Sequence, residues 1–483
     1  MVKLKLPPQP SIAIIGAGPA GLTTALLLHA HNMAFTLFEQ RPQPTLKALR
    51  AEQPSSGLLH LHNHSGLAAL RAAGNRVYAD FCNRALATTI TPTSTSASST
   101  ARQISRLGLT ALLLHHLPPD CIRWGHRLRN TRRAPDNSRT PHALRLDFGE
   151  GSRQPFDFVI GADGRASKLR AILSGRIPKS AGVRVLSLTI TGFEQAYPEL
   201  AREVDAAGGG GFVARGKRVA VEAFHYRRGQ GEPADVANVN VYFRWPADAE
   251  AFNAVYPFST GTADPARLAA TTARLLAAEE SFYFPTAAQL VAAGFEELAA
   301  TGVLADPFAD IAADDADANA KAPPLLRPLR ALPATHSWEP RADATLLGDA
   351  AHLHASSPWS EIGGSEGVDL AMRDALELVG AIVRARDRAA GVGGAGDPAK
   401  DKDAEELDEW HRTLRREAII KALEPEVAKF EREMMRRARK SVGAGMGHEG
   451  RKRVGKGMGD EGLEGAVLGW GRDAGGRRKA VGR

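Results

Sequence analysis

Three short segments that open on glycine, two of them with an aspartate, carry the chemistry that this sequence announces: GAGPAG at residues 16–21, GADGRASKLR at 161–170 and GDAAH at 348–352. In the first, Gly16 permits a tight turn, Gly18 lets backbone approach a pyrophosphate, and Gly21 lets a helix pack on the strand before it. The helix N-terminus then faces phosphate charge. Glu39 lies 18 residues beyond Gly21, at the end of a second apolar segment. A carboxylate at that distance can accept hydrogen bonds from ribose hydroxyls. Asp163 and Gly164 follow the apolar run FDFVI, at the carboxyl end of a strand, where doubly wound sheets bind ligands. An ordinary Asp-Gly turn is the plainer reading of that pair. Gly348 and Asp349 follow another apolar run, and Asp349 can accept hydrogen bonds from a sugar-alcohol chain, although a capped helix start has the same residues.

Each plainer reading suffices alone, but all three must hold independently to replace the joint one. In this order the segments supply places for an adenosine, a pyrophosphate and a ribityl chain, so the expected ligand is FAD. An internal control supports reading motif and context together. GVGGAG at residues 391–396 has the same spacing but follows RARDRAA rather than a strand, and is expected to be a linker.

These segments need elements to hold them. Residues 11–40 read strand, glycine turn, helix, strand, a βαβ unit. LLHLH and SGLAALRAAG suggest a further strand and helix, residues 87–100 a low-complexity surface loop, and residues 104–117 a helix. VRVLSLTITG, RVAVEAFHY and VANVNVYFRW read as an antiparallel sheet, followed by alanine-rich helical sequence over residues 265–304. The acidic stretch 305–321 reads as a loop. Val368, Ala371, Met372, Ala375, Val379 and Ile382 recur at helical spacing.

The predicted fold class is α/β: a Rossmann-like FAD-binding domain, an inserted mixed or antiparallel sheet domain that holds substrate, and C-terminal helices. The boundaries read as 1–180 and 336–390 for the two parts of the FAD-binding domain, 181–335 for the sheet domain, 391–403 for a linker, 404–440 for a terminal helix and 441–483 for a basic, disordered tail.

The formal charge of +8 invites a nucleic-acid reading, so its location matters. Between Arg436 and Arg483 there are 13 Lys/Arg and 5 Asp/Glu, which leaves 49 of each sign in the rest. The body is formally neutral, and the expectation is a solvated extension with no nucleic-acid partner. Cys82 and Cys121 are the only cysteines. They cannot form a disulfide framework, which fits a reducing compartment and an expected cytoplasmic location. No unbroken apolar stretch reaches the roughly 18 residues of a membrane span. The fifteen histidines form no compact ligand set, so no metal is expected.

GAGPAG with Glu39, the segment with Asp163 and Arg170, and GDAAH with the later SEGVDLAMRDALEL resemble the class A flavoprotein monooxygenases, relatives of para-hydroxybenzoate hydroxylase. LLHLHNHSGLAALRAAG and QISRLGLTALLLHHLPPDCIRWG are similar to the branch containing tetracycline-inactivating monooxygenases and fungal aromatic hydroxylases. The resemblance spans about residues 11–378 and is faint in the middle sheet.

It implies a cofactor-binding set of Gly16, Gly18, Gly21, Glu39, Arg41, Arg106, Asp163, Gly164, Gly348, Asp349, Pro358, Gly364, Gly367 and Val368. Glu39 would hold the adenosine ribose, Arg106 would contact the pyrophosphate or ribityl region, and Asp163 would lie near the pyrophosphate. Asp349 would bind ribityl hydroxyls, with Pro358 and the helix starting near Glu366 against the isoalloxazine ring. Reduced flavin is negative near N1 and the C2 carbonyl, and helix N-terminal N–H groups stabilise that charge. NADPH or NADH would dock transiently, because no second strand-glycine-helix unit exists. With O2, a flavin C4a-hydroperoxide would hydroxylate an aromatic or polycyclic small molecule, so no catalytic side chain is assigned. His60, His62, Phe224, Tyr242 and Arg244 are candidate substrate-lining residues. Monomer and dimer both remain open.

The sequence departs from that family around the ring. HLHASSPWSEIGGSEG is several residues longer than the usual loop, Ser365 and Asp369 stand where glycine and asparagine are usual, and Thr110 replaces a common arginine. Two alternatives follow: a flavin-binding protein with impaired catalysis, or a flavin oxidase or reductase without oxygen insertion.

Overall fold

The computed structural model describes residues 10–45, 58–90, 99–133, 144–149, 153–207, 211–226, 235–244, 265–279, 284–301, 326–333, 335–354, 366–390 and 404–445. β1 (Ile12–Ile15) has all four residues buried, the pattern of a central parallel strand covered on both faces. It pairs in parallel with β2 (Phe35–Glu39) on one side and β10 (Phe158–Gly161) on the other. β6 (Ile122–Trp124) extends the sheet past β2, and β16 (Ala344–Leu346) extends it past β10. The order β16-β10-β1-β2-β6 places the ends of β1, β10 and β16 side by side, which brings the three segments together. Between β1 and β2 runs the helix Pro19–Ala30, with Pro19 in its first turn, where a missing N–H costs nothing.

A smaller antiparallel sheet holds β3 (Leu58–His62), β5 (Ser99–Ser105) and β4 (Leu86–Ile90), in that order. The surface loop expected over residues 87–100 is corrected at both ends. Thr88 and Thr89 pair with Ala101 and Thr100, because β-branched threonines favour strands however low their complexity; residues 91–98 lie outside the described residues. The helix expected over 104–117 is Arg106–His115. Its start is set by Ser105, whose Oγ accepts from the Gly108 N–H at 2.9 Å. A third sheet holds β7 (Asn130–Arg133), β8 (Leu144–Asp147) and β9 (Arg153–Phe156).

The middle sheet is antiparallel throughout, in the order β12 (Phe212–Arg215), β13 (Val219–Tyr226), β14 (Val236–Arg244), β11 (Lys179–Thr191) and β15 (Arg327–Ala331). Leu186, Leu188, Val219, Val221, Val239 and Val241 form an apolar core with the helices Pro265–Ala277 and Phe284–Thr301. The single helical stretch expected over 265–304 is thus two helices. The opposite parity of the strands carries Ser187, Thr189, Glu222, Asn238, Asn240 and Tyr242.

The parallel sheet has its own core, and the terminal helix belongs to it. The helix Glu366–Ala390 packs on both the helix Pro19–Ala30 and the terminal helix Ala404–Gly445. Ile419, Leu423, Val427, Phe430 and Met434 of the terminal helix are buried in the same cluster as β1. The helix continues to Gly445, past the boundary expected at residue 440. The expected acidic loop at 305–321, the linker at 391–403 and nearly all of the basic tail lie outside the described residues.

Leu423 is fully buried. Leu423→Ala is expected to lower unfolding stability by about 2–5 kcal/mol, measured by urea denaturation. A loss near zero would show that the terminal helix is not packed as described.

Candidate functional site

The glycine turn is closed by contacts that exclude side chains. Gly16 has φ +103°, and a Cβ there would lie 2.5 Å from the Ala162 carbonyl oxygen. A Cβ on Gly21 would lie 1.9 Å from the Gly16 carbonyl oxygen. Gly18 differs: nothing lies within 4 Å of a Cβ built there. That open face sits at the N-terminus of the helix Pro19–Ala30, which has no side-chain cap and no acidic residue in its first turn. Its N–H groups and dipole suit a phosphate. Glu39 is buried, and its Oε2 accepts from the Ala17 N–H at 2.6 Å. Its Oε1 accepts from the Arg41 backbone N–H at 3.0 Å and from Arg41 Nε at 2.9 Å. The expected ribose ligand therefore also braces the glycine loop.

Asp163 Oδ2 accepts from the N–H groups of Lys168 at 2.7 Å and Leu169 at 3.3 Å, at the start of the helix Lys168–Ser174. Burial raises its pKa, against hydrogen bonds from Ser167 and from these N–H groups. Gly164 has φ +72°, which the turn requires. Arg170, 2% exposed, donates from Nη1 to the carbonyl oxygens of Asp349 at 3.1 Å and Ala350 at 3.2 Å. It ties the second segment to the third. Gly348 has φ +58° and is followed by the exposed Asp349, first residue of the short helix Asp349–His352. Arg106 starts its helix nearby: burial lowers its pKa, Asp349 opposes that, and Arg41 adds to it. Residues 41, 106 and 349 thus share one neighbourhood. Thr110 donates to the Arg106 carbonyl oxygen at 2.9 Å, inside the helix.

Behind this segment lies a charge network that sequence reasoning missed. Asp374, fully buried, accepts at Oδ2 from the Gly348 N–H at 3.2 Å and pairs there with His352 Nε2. Arg437 of the terminal helix donates to Asp374 Oδ1 at 3.1 Å and also pairs with Glu377. Burial works against both charges, but the partners win. The His352 pKa is raised by Asp374, and that of Asp374 is lowered by His352 and Arg437. Asp374 stood in the motif MRDALEL, yet nothing in the spacing marks Arg437 as its partner.

Gly367 and Val368 open the helix Glu366–Ala390, and a Cβ on Gly367 would meet nothing within 4 Å. Pro358, Gly364 and Ser365 lie outside the described residues. Asp369, expected as an added carboxylate by the ring, is turned into the corner after β3. It accepts from the N–H groups of His62 at 3.0 Å and Gly66 at 2.8 Å, from Ser65 Oγ, and pairs with His62 Nδ1 at 3.0 Å. Four partners satisfy it, so His62 is a structural clamp here.

His60 is buried on β3 beside Gln103, with Nε2 to Nε2 at 2.7 Å, and its ring lies 6.2 Å from that of Phe224 on β13. Burial, helped by His62, lowers its pKa to about 4, so its ring is neutral. His60 and Phe224 thus join the β3-β5-β4 sheet to the middle sheet. On the same face, Tyr242 donates to Glu222 Oε2 at 2.8 Å. Arg244 sits at the far end of β14 and donates to the Lys217 carbonyl oxygen at 3.0 Å. His225 lies on the other parity. Its two nitrogens contact Asp205 and Asp235, each at 3.0 Å. His225, Asp235 and Glu194 form a compact acid-histidine group that sequence spacing did not announce. Asp235 also accepts from the N–H groups of Glu194 and Gln195, so His225 and Asp235 together hold the helix Phe193–Ala196 to the sheet.

Glu222 is buried, and desolvation pushes its pKa up to about 7 from 4.5, against the Tyr242 hydrogen bond and the Arg215 charge. The folded state therefore keeps this proton where the unfolded chain has lost it. The resulting stability is complete below pH 4.5 and is lost as pH rises through about 7. Glu222→Gln is expected to gain stability relative to the native chain as pH rises from 5 to 8, by on the order of 3 kcal/mol. Urea midpoints at the two pH values measure it, and a pH-independent difference would contradict it.

Residues 9–223 match the FAD binding domain family. The chain is 34% identical over 221 residues to the monooxygenase penA of Penicillium thymicola, covering 42% of this chain and 48% of that protein. It is 32% identical over 208 residues to the monooxygenase asqM of Emericella nidulans, covering 39% and 46%. The matches thus span about half the length of these curated relatives. Among solved structures, 2,6-dihydroxypyridine-3-hydroxylase from Arthrobacter nicotinovorans has the same fold, with a TM-score of 0.58, 14% identity, and 95% and 96% of the two chains covered. The glycine turn, Glu39 and Asp163 lie within the segment that matches the FAD binding domain family, and the chain shares its fold with that hydroxylase.

Proposed function

We propose that this chain is an FAD-dependent monooxygenase that uses NADPH or NADH and O2 to hydroxylate an aromatic or polycyclic small molecule. The observation that carries the reading is the convergence of Gly18, Glu39 and Asp349 at the ends of strands of one parallel sheet, with Arg106 beside Asp349. An open glycine face at a helix N-terminus suits a pyrophosphate, and the exposed Asp349 beside Arg106 suits a polyhydroxyl chain near anionic oxygens. FAD, when bound and reduced by nicotinamide, supplies the activation of O2 for insertion into a ring.

The chain's own residues then bind, orient and exclude water. Glu39 and Arg41 hold the adenosine end, and the Gly16–Gly21 turn holds the pyrophosphate. Arg106 and Asp349 hold the middle of the cofactor, and Gly367 and Val368 lie on its ring side. Asp163 works through the backbone it caps. The substrate occupies the junction of the two sheets at His60 and Phe224, whose neutral imidazole and phenyl ring suit an aromatic partner, with Tyr242 and Glu222 further along the same face. His62 supports β3 beside this junction through its pairing with Asp369, and Arg244 lies at the far end of β14.

Relatives named as monooxygenases support the oxygen-inserting reading over an oxidase or reductase. No helix among the described residues is long and apolar enough to cross a membrane, and a cytoplasmic location is part of the proposal.

The test is spectroscopic and kinetic. Purified protein is expected to carry or take up FAD and to oxidise NADPH or NADH faster when an aromatic substrate is added. A yellow preparation whose slow nicotinamide oxidation no substrate stimulates would contradict the monooxygenase reading, and a chain that FAD cannot reconstitute would contradict flavin binding. A substitution separates the cofactor contact from folding. Gly18→Ala meets no atom and is expected to leave thermal stability within about 1 kcal/mol while weakening FAD binding. Gly21→Ala, blocked by the Gly16 carbonyl, is expected to disrupt the fold itself. Unchanged FAD affinity in Gly18→Ala would place the pyrophosphate elsewhere.

A further inference from the structure

Asp349 is carried by a four-residue helix, too short to hold its own position. One buried carboxylate grips both ends of it. Asp374 Oδ2 accepts from the Gly348 N–H at 3.2 Å, before the helix, and pairs with His352 Nε2 at its last residue. The other oxygen, Oδ1, is held at 3.1 Å by Arg437, whose guanidinium also pairs with Glu377. Asp374 has no exposed side-chain surface, His352 4% and Arg437 12%. A carboxylate this deep keeps its charge and its direction only if cations face it.

Arg437 is contributed by the terminal helix, which lies wholly outside the segment matched to the FAD binding domain. Its neighbour on that helix, Arg436, pairs with Glu433 one turn away and is largely exposed. The two arginines are adjacent in sequence and opposite in placement.

We infer that Asp374 and Arg437 are positioning residues for the Gly348–His352 segment, and that the terminal helix Ala404–Gly445 is thereby a working part of the flavin site. This rests on the proposed binding of FAD at Asp349. Arg437 orients Asp374, and Asp374 sets the positive-φ Gly348 backbone and the direction of the short helix. Asp349 is then presented outward. FAD affinity therefore depends on a residue 88 positions away that faces away from the ligand.

FAD titration of the full-length protein, followed by flavin fluorescence and by the visible circular dichroism of the bound ring, tests this. Arg437→Ala is expected to weaken FAD binding by on the order of tenfold and to change the visible dichroism, with the far-ultraviolet spectrum kept. Arg437→Lys is expected to restore part of the affinity, and Arg436→Ala to match the native chain. If Arg437→Ala unfolds, Arg437→Lys carries the test, because an ammonium cannot serve Asp374 and Glu377 as the guanidinium does: weaker FAD with an altered spectrum supports the inference. Native affinity and an unaltered spectrum in a folded Arg437 variant would overturn it. A native chain that does not bind FAD would overturn the functional reading and this inference together, whereas native binding with indifferent variants would overturn this inference alone.

Discussion

Backbone hydrogen bonds that align β1, β10 and β16 in parallel put Ile15, Gly161 and Leu346 in one row, and each strand ends there in one of the three segments that open on glycine. The Ala162 N–H donates to the Ile15 carbonyl oxygen at 2.8 Å, and the Leu347 N–H donates to that of Gly161 at 3.0 Å. Three stretches separated by more than a hundred residues thereby become neighbours. Their closeness explains why Gly16 tolerates no side chain: the Ala162 backbone from the second segment already fills the space beside it, while Gly21 is closed by the Gly16 carbonyl. A parallel sheet buried on both faces is rigid enough to keep that spacing.

Charge is then arranged around the row in two layers. Toward the ligand side are Arg41, Arg106 and the exposed Asp349; behind them are Arg170, Asp374, His352 and Arg437, all largely buried. The rear groups spend their hydrogen-bonding capacity on backbone and on one another. Arg170 takes carbonyl oxygens and Asp374 takes the Gly348 N–H. Preorganised dipoles and ion pairs of this kind hold a binding surface without reorganising when the ligand arrives. The same logic operates at Asp369, whose four partners fix the corner after β3.

Much of the frame was legible because its signals are local. Glycine turns with a strand before and a helix after, alternating strands and helical periodicity all reside within a few residues, and the βαβ unit and middle sheet followed from them. Thr88 and Thr89 were misread because composition resembled a loop where β-propensity prevailed. Asp369 was placed by its motif position, but the direction of its side chain depends on Ser65 and Gly66, about three hundred residues earlier. Arg437 was legible as a residue of the terminal helix, but its charge partners, Asp374 and Glu377, are visible only once two helices pack. Register between distant elements is a tertiary property, and no local pattern encodes it.

The central claim is that one cofactor engages all three segments at once. Hydrogen–deuterium exchange of the full-length protein with and without FAD measures this directly. The account predicts that FAD slows exchange together at residues 16–21, 161–170 and 348–352. Protection confined to residues 16–21, with the other two segments unchanged, would contradict it.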